Sequence, residues 1–224
     1  MALDAGWTAL QWPAMEHVIV ADAEEDWRAA GRLVIAEGGL ASADYELRCQ
    51  PGGRFAELTM RITSARGQHT LVLTAARDGS WRVNGQPRPD LAGCVDIDIN
   101  CTPLTNTLPI RRLDWAPGQA RDFVMAYVSI PELSVRPVRQ RYTCLTARAA
   151  SADGASADEA AADAVSAADT GGVGADGSST RDASAVFRYE TATFRADLPV
   201  DQDGLVLDYP GFWSRIRALS PAAA

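Results

Sequence analysis

The sequence predicts a mainly β protein. Short β-leaning runs are separated by Gly-rich, Asp-Gly or Asn-Gly turns, and a helical period of apolar residues is found only near the C-terminus. Short strands at regular spacing suggest an antiparallel barrel or sandwich. The chain has 224 residues, 47% of them hydrophobic and 22% charged, enough to bury a sizeable core. Residues 1–224 read as a single β domain.

Taken in order, Met1 to Met15 carries neither a basic n-region nor an apolar h-region, so it does not read as a secretory signal. Strands are expected at Ala43–Cys49, Phe55–Thr63 and Thr70–Ala75. Asp78-Gly79 then joins to Trp81–Val83, and Asn84-Gly85 supplies a second turn; both dipeptides suit primed hairpin turns, whose central residues need positive φ. Val95–Asn100, Leu108–Trp115, Phe123–Ile130, Arg139–Thr146, Val186–Leu198 and Leu205–Asp208 continue the series. A short C-terminal helix is expected where Phe212, Ile216 and Leu219 would share one face.

One segment breaks the pattern. Residues 149–185 comprise 14 Ala, 6 Ser, 6 Asp and 5 Gly among 37 residues, with no Leu, Ile or aromatic side chain. Such a composition cannot build a core and reads as a disordered insertion between two strands. It holds −6 of the formal charge of −8, so the acidity of the chain is largely a property of this stretch.

A weak internal echo runs through the remainder. Tyr45-Glu46-Leu47-Arg48-Cys49 leads to Asp78-Gly79 and Trp81, while Tyr142-Thr143-Cys144-Leu145 leads to Asp203-Gly204 and Val206. Two related halves would explain it, and so would chance matching of common turn residues.

Composition excludes several functions. All 21 basic residues are arginine, and the acidic balance argues against nucleic acid or an anionic membrane as partner. No run of 18 apolar residues offers a transmembrane helix. Cys49, Cys94, Cys101 and Cys144 form no Cys-x-x-Cys pair and His17 and His69 stand apart, so zinc spacing is missing and no metal or other cofactor is expected. Without an export signal the thiols are expected reduced and mostly buried, with a cytoplasmic address. Gly-x-Ser-x-Gly, a phosphate-cradling loop with Lys and His-Glu-x-x-His are all absent.

Two clusters remain as candidates. In Asp96-Ile97-Asp98-Ile99-Asn100, strand alternation puts Asp96, Asp98 and Asn100 on one face, either a solvated face, an ion-pair scaffold or an acid–base pair. The pattern fails as a calcium loop, because Cys101 stands where the turn glycine belongs. It also resembles the paired aspartates of haloacid-dehalogenase-type phosphotransferases, whose alternating βα units this chain lacks. Next, Thr102 to Leu113 is bracketed by Pro103 and Pro109, which favours an extended or turn segment over a helix. Read as a strand, it sets Arg111 beside Leu113 and Trp115 and turns Arg112 to the other side with Ile110. An arginine among large apolar groups suits a pocket for an anionic or hydroxyl-rich head; alternatively, either arginine neutralises Asp96 or Asp98.

Three blocks carry a resemblance: Trp81-Arg82-Val83-Asn84-Gly85, then Leu91-Ala92-Gly93-Cys94-Val95-Asp96-Ile97-Asp98, then Thr105-Asn106-Thr107-Leu108-Pro109-Ile110-Arg111-Arg112-Leu113. With Pro137, Gln140, Tyr142 and the Asp201–Pro210 stretch, they resemble the bacterial putative glycolipid-binding family over most of residues 16–217. The resemblance implies a many-stranded antiparallel curved sheet or partly open barrel with a central cavity, similar in shape to bacterial lipoprotein-carrier proteins. It further implies non-enzymatic binding of a lipid or glycolipid-like amphiphile. In this reading the acyl part lies among inward Leu, Ile, Val and Trp residues, and Arg111, Arg112 and Asn106 meet the head, with Asp96, Asp98 and Trp115 at the same site. The alternatives are an enzyme acting on a sugar or lipid ester through Asp96 and Asp98, and a protein-interaction scaffold.

Overall fold

The computed structural model describes residues 2–23, 26–36, 39–147 and 183–216. Residues 148–182, nearly all of the Ala/Ser/Asp/Gly-rich segment, lie outside the described residues, as does Leu219 of the expected C-terminal helix. The described chain is mainly strand. It begins with β1 (Ala2–Ala9), β2 (Ala14–Ala23), β3 (Asp26–Ile35), β4 (Ala41–Cys49), β5 (Phe55–Ser64) and β6 (Gly67–Ala75). The short β7 (Trp81–Val83), β8 (Gln86–Pro87) and β9 (Asp96–Ile99) follow, then one helix, α1 (Thr107–Arg112). After it come β10 (Ala120–Ser129), β11 (Ser134–Ala147), β12 (Ala185–Glu190), β13 (Arg195–Val200), β14 (Asp208–Tyr209) and β15 (Trp213–Arg215).

Two sheets result. The larger has ten antiparallel strands in the order β14-β15-β1-β2-β3-β4-β5-β6-β7-β8 and does not close on itself. The smaller runs β13-β12-β11-β10-β9, and its β9–β10 pairing is parallel. The core fills the space between them. Trp7, Val18, Leu33, Leu47, Leu58 and Leu73 of the large sheet are fully buried, facing Ile97, Ile99, Leu104 and Val128. Alternation is visible on β4, where Ala43, Tyr45, Leu47 and Cys49 point inward and Arg48 outward. Trp7 Nε1 also donates to the Val206 carbonyl at 2.8 Å, tying β1 to the segment that follows β13.

The β assignment stands, with local corrections. Three strands precede Ala43 that the periodicity did not reveal. Their alanine content is low in β propensity, and the inward row of β2 contains an acid, Glu16, beside Val18 and Val20. Asn84 and Gly85 both have positive φ, 48° and 78°, as a primed turn requires. Asp78 does not; there only Gly79 is left-handed, and a wider turn closes through Ala76 N–H to Ser80 O at 2.9 Å. The echo sequence shares this geometry: Asp201 N–H donates to Leu205 O and Gly204 N–H to Asp201 O, as Gly79 N–H does to Ala76 O. Tyr45 and Tyr142 each open a meander ending in this turn, followed by a strand-paired residue, Trp81 opposite Ala75 and Val206 opposite Val200.

Two expectations are overturned. Residues 213–215 are strand β15 paired with β1, so the C-terminal helix does not form over them; the backbone edge of β1 satisfies them instead. The segment expected as strand Leu108–Trp115 begins as helix α1, entered from a 3-10 turn at Leu104–Asn106. Pro109 sits in the first turn of α1, where a missing N–H costs nothing. Arg111 and Arg112 are therefore neighbours on a helix and do not alternate across a strand.

Candidate functional site

The strand β9 positions the two aspartates. Parallel pairing to β10 sets Ile97 opposite Ala126 and Ile99 opposite Val128, both isoleucines facing the main core, and turns Asp96 and Asp98 toward the other side. That face is not solvated. Asp96 is fully buried, accepts the Phe55 N–H at 3.2 Å and pairs with Arg112 Nη2 at 2.6 Å. Burial pushes its carboxyl above the usual range, while the Arg112 guanidinium and the Phe55 N–H pull it back. The ion-pair alternative thus holds for Asp96 and Arg112.

Asp98 has different company. Gln140 Nε2 donates to it at 2.5 Å, Thr105 Oγ1 at 3.2 Å and Tyr189 Oη at 3.4 Å, all uncharged donors. Burial again pushes the carboxyl up, and these three donors only partly offset it. Asp98 nevertheless keeps some exposure, because it lies on the wall of a pocket of about 210 Å³.

This pocket lies where the two sheets meet. Asp98, Ile99, Asn100 and Thr102 line it from β9 and the segment after it, and Asn106 from the 3-10 turn. Five aromatic rings supply the rest: Tyr127 of β10, Phe194 just before β13, Tyr209 of β14, Phe212 and Trp213. The rings brace one another, with Phe194 stacked on Tyr209 at 6.0 Å and edge-on to Phe212 at 5.3 Å. Trp12 meets both Phe212 and Trp213 edge-on, extending the aromatic wall outward. Asn106 is held by the Tyr142 hydroxyl, which donates to its Oδ1 at 2.8 Å, and its own amide donates to Pro103 O.

Of the residues singled out in the sequence, Asp98 and Asn106 come together on this pocket. Asp96 and Arg112 form their pair outside its lining. Arg111 is exposed, reaches the Asp203 carbonyl at 3.3 Å, and packs its Cγ where a side chain at Gly204 would otherwise sit. Strand alternation set Arg111 beside Leu113 and Trp115; the helix removes that relation. Trp115 donates Nε1 to the Ile110 carbonyl and packs edge-on to Phe123 and Phe187 under the Arg121 guanidinium. The pocket aromatics were missed. The signal was the run Tyr209-Pro210-Gly211-Phe212-Trp213, three large rings around a tight turn.

A larger depression, about 440 Å³, lies on the large sheet between His17, Arg32, Asp44 and Arg61. It is an open groove floored by exposed, mutually paired side chains such as Arg32–Asp44, and it lacks the converging buried polar groups of a recognition site. No cluster of His, Cys, Asp and Glu suited to a metal ion occurs among the described residues, and none of their helices is long and apolar enough to cross a membrane.

Comparison with known proteins agrees with this architecture. Residues 4–173 and 176–215 match the family described as putative glycolipid-binding. The chain belongs to that family. It is also similar to the crystal structure of a DUF1089 family protein from Pseudomonas aeruginosa, at 29% identity and a TM-score of 0.67, covering 90% of this chain and 92% of that one. No curated protein matches it.

Proposed function

We propose that the protein binds a glycolipid-like amphiphile without turning it over, taking the polar head into the Asp98 pocket. The observation that carries this reading is a set of aromatic rings converging on a single half-buried carboxylate at the junction of the sheets. Aromatic faces pack against the apolar faces of a sugar ring, while Asp98 and Asn106 offer an acceptor and an amide for its hydroxyls. Family membership supports the same ligand class.

Size decides which part of the ligand enters. Pockets for drug-sized ligands run to roughly 300–1,000 Å³, so about 210 Å³ suits one ring or head group, not a whole lipid. The space between the sheets is filled by side chains, so the acyl part does not lie there as the sequence suggested. It runs instead along Phe212 and Trp12 toward Leu10, whose backbone N–H donates to Phe212 O and whose side chain is 57% exposed. The acid–base alternative loses its partner, because Asp96 is committed to Arg112 outside the pocket.

Titration of octyl glucoside below its micellar concentration, followed calorimetrically, tests this reading. Binding is expected to be saturable and to weaken about two- to tenfold in Phe212→Ala, the equivalent of roughly 0.5–1.5 kcal/mol of aromatic contact. Non-saturable partitioning, or equal binding by Phe212→Ala, would contradict it.

A further inference from the structure

We propose that the head group taken by the Asp98 pocket carries an ammonium cation. The inference rests on the reading of this pocket as a head-group site and adds the charge of its ligand. Asp98 and Asp96 stand two residues apart on one strand face, yet only Asp96 has a guanidinium beside it. The chain contains no lysine, and the hydrogen-bond donors to Asp98 are an amide and two hydroxyls. Gln140 spends its Nε2 on Asp98 and its buried Oε1 has no hydrogen-bond partner, so acceptors outnumber donors around the carboxylate. A ligand that brings positive charge and N–H or polarised C–H donors to the pocket supplies Asp98 with the partner it lacks.

The walls have the matching chemistry. The face of an aromatic ring is the negative end of its quadrupole and attracts a cation within about 6 Å, most strongly where water is excluded. Tyr127, Tyr209, Phe212 and Trp213 present rings to the pocket that holds Asp98. Burial, with a smaller part from the Asp98 charge, raises the cost of ionising four tyrosines from four different strands, Tyr127, Tyr142, Tyr189 and Tyr209. Burial holds the Asp98 carboxyl above its ordinary range, a penalty that a bound cation relieves.

The test compares three amphiphiles with one tail: octyltrimethylammonium, octyl glucoside and octyl sulfate, titrated calorimetrically into the full chain below their micellar concentrations. The expected order is cation, then glucoside, then sulfate, with the cation roughly 30-fold tighter than the glucoside. Asp98→Asn, which keeps the shape and removes the charge, should collapse the cation-to-glucoside ratio to about one without lowering the melting temperature. The ranking on the unaltered protein needs no variant to be read. A glucoside that binds as tightly as the cation and weakens in Phe212→Ala would overturn the ammonium inference and leave the head-group pocket standing. Cation preference that survives Asp98→Asn would also overturn it, as adsorption to an acidic surface. Binding of none of the three would overturn both readings.

Discussion

Glu16 is fully enclosed by the fold with no cation beside it, and its replacement by glutamine has a calculable consequence. Its side chain is 0% exposed at the inward face of β2, where Tyr45 donates from β4 at 2.6 Å and Thr102 donates from the pocket wall at 2.6 Å. Burial raises its carboxyl from 4.5 to about 7, the two hydroxyls offsetting only part of the cost. Because the folded value lies above the unfolded one, the stability linked to this group is fully present below pH 4.5 and is lost as pH rises through about 7. The gap corresponds to roughly 3 kcal/mol, or about 6–12 °C in Tm for a chain of this size. Glutamine cannot ionise and keeps one acceptor and one donor for the same hydroxyls. Urea unfolding of both proteins at pH 5, 6, 7 and 8 reads the difference directly, since every other titrating group is common to the two. Glu16→Gln should gain about 3 kcal/mol on the native protein across that window, most of it between pH 5 and 8. A pH-independent difference, or a native protein that gains on the variant as pH rises, would refute the burial argument.

Other perturbations follow from the same contacts. Arg112→Ala leaves Asp96 buried without its cation and should cost about 3–5 kcal/mol in urea unfolding, with Asp96→Asn restoring part of the loss in the double variant. Gly31→Ala should lower Tm sharply, because an added Cβ would overlap the Tyr45 ring where it crosses β3 to reach Glu16, and Tyr45→Phe should not rescue it since the ring remains. The four cysteines are buried and in no disulfide, with burial pushing Cys49 to about 12 and Cys94 to about 11. Their labelling by a maleimide at pH 7 should be slow in native protein and fast in urea; fast native labelling of Cys49 would contradict its placement.

The mainly β fold was legible because turn chemistry is local. Asn84-Gly85 and the strand Trp81–Val83 can be read from a handful of adjacent residues. The first three strands were not legible, since β2 turns Glu16 toward the core and its partners, Tyr45 and Thr102, are 29 and 86 positions away. Helix α1 was misread for a related reason. Pro109 argues against a helix interior but is well tolerated in a first turn, and where a helix begins depends on the preceding 3-10 turn. Asp98 and Asn106 could be singled out because polar residues in apolar strings invite attention. The aromatic wall could not, because its rings come from β10, β14 and the turns before β13 and β15, and only the packing of two sheets brings them to one carboxylate.

The most direct test of the pocket as an amphiphile site is native mass spectrometry of the purified protein with extraction and identification of what it carries. The account predicts a single amphiphile bound one to one, its occupancy sharply reduced in Tyr209→Ala and Phe212→Ala and unaffected by Arg32→Ala in the outer groove. A ligand that persists in both aromatic variants, or that is lost on Arg32→Ala instead, would contradict the placement of the site at Asp98.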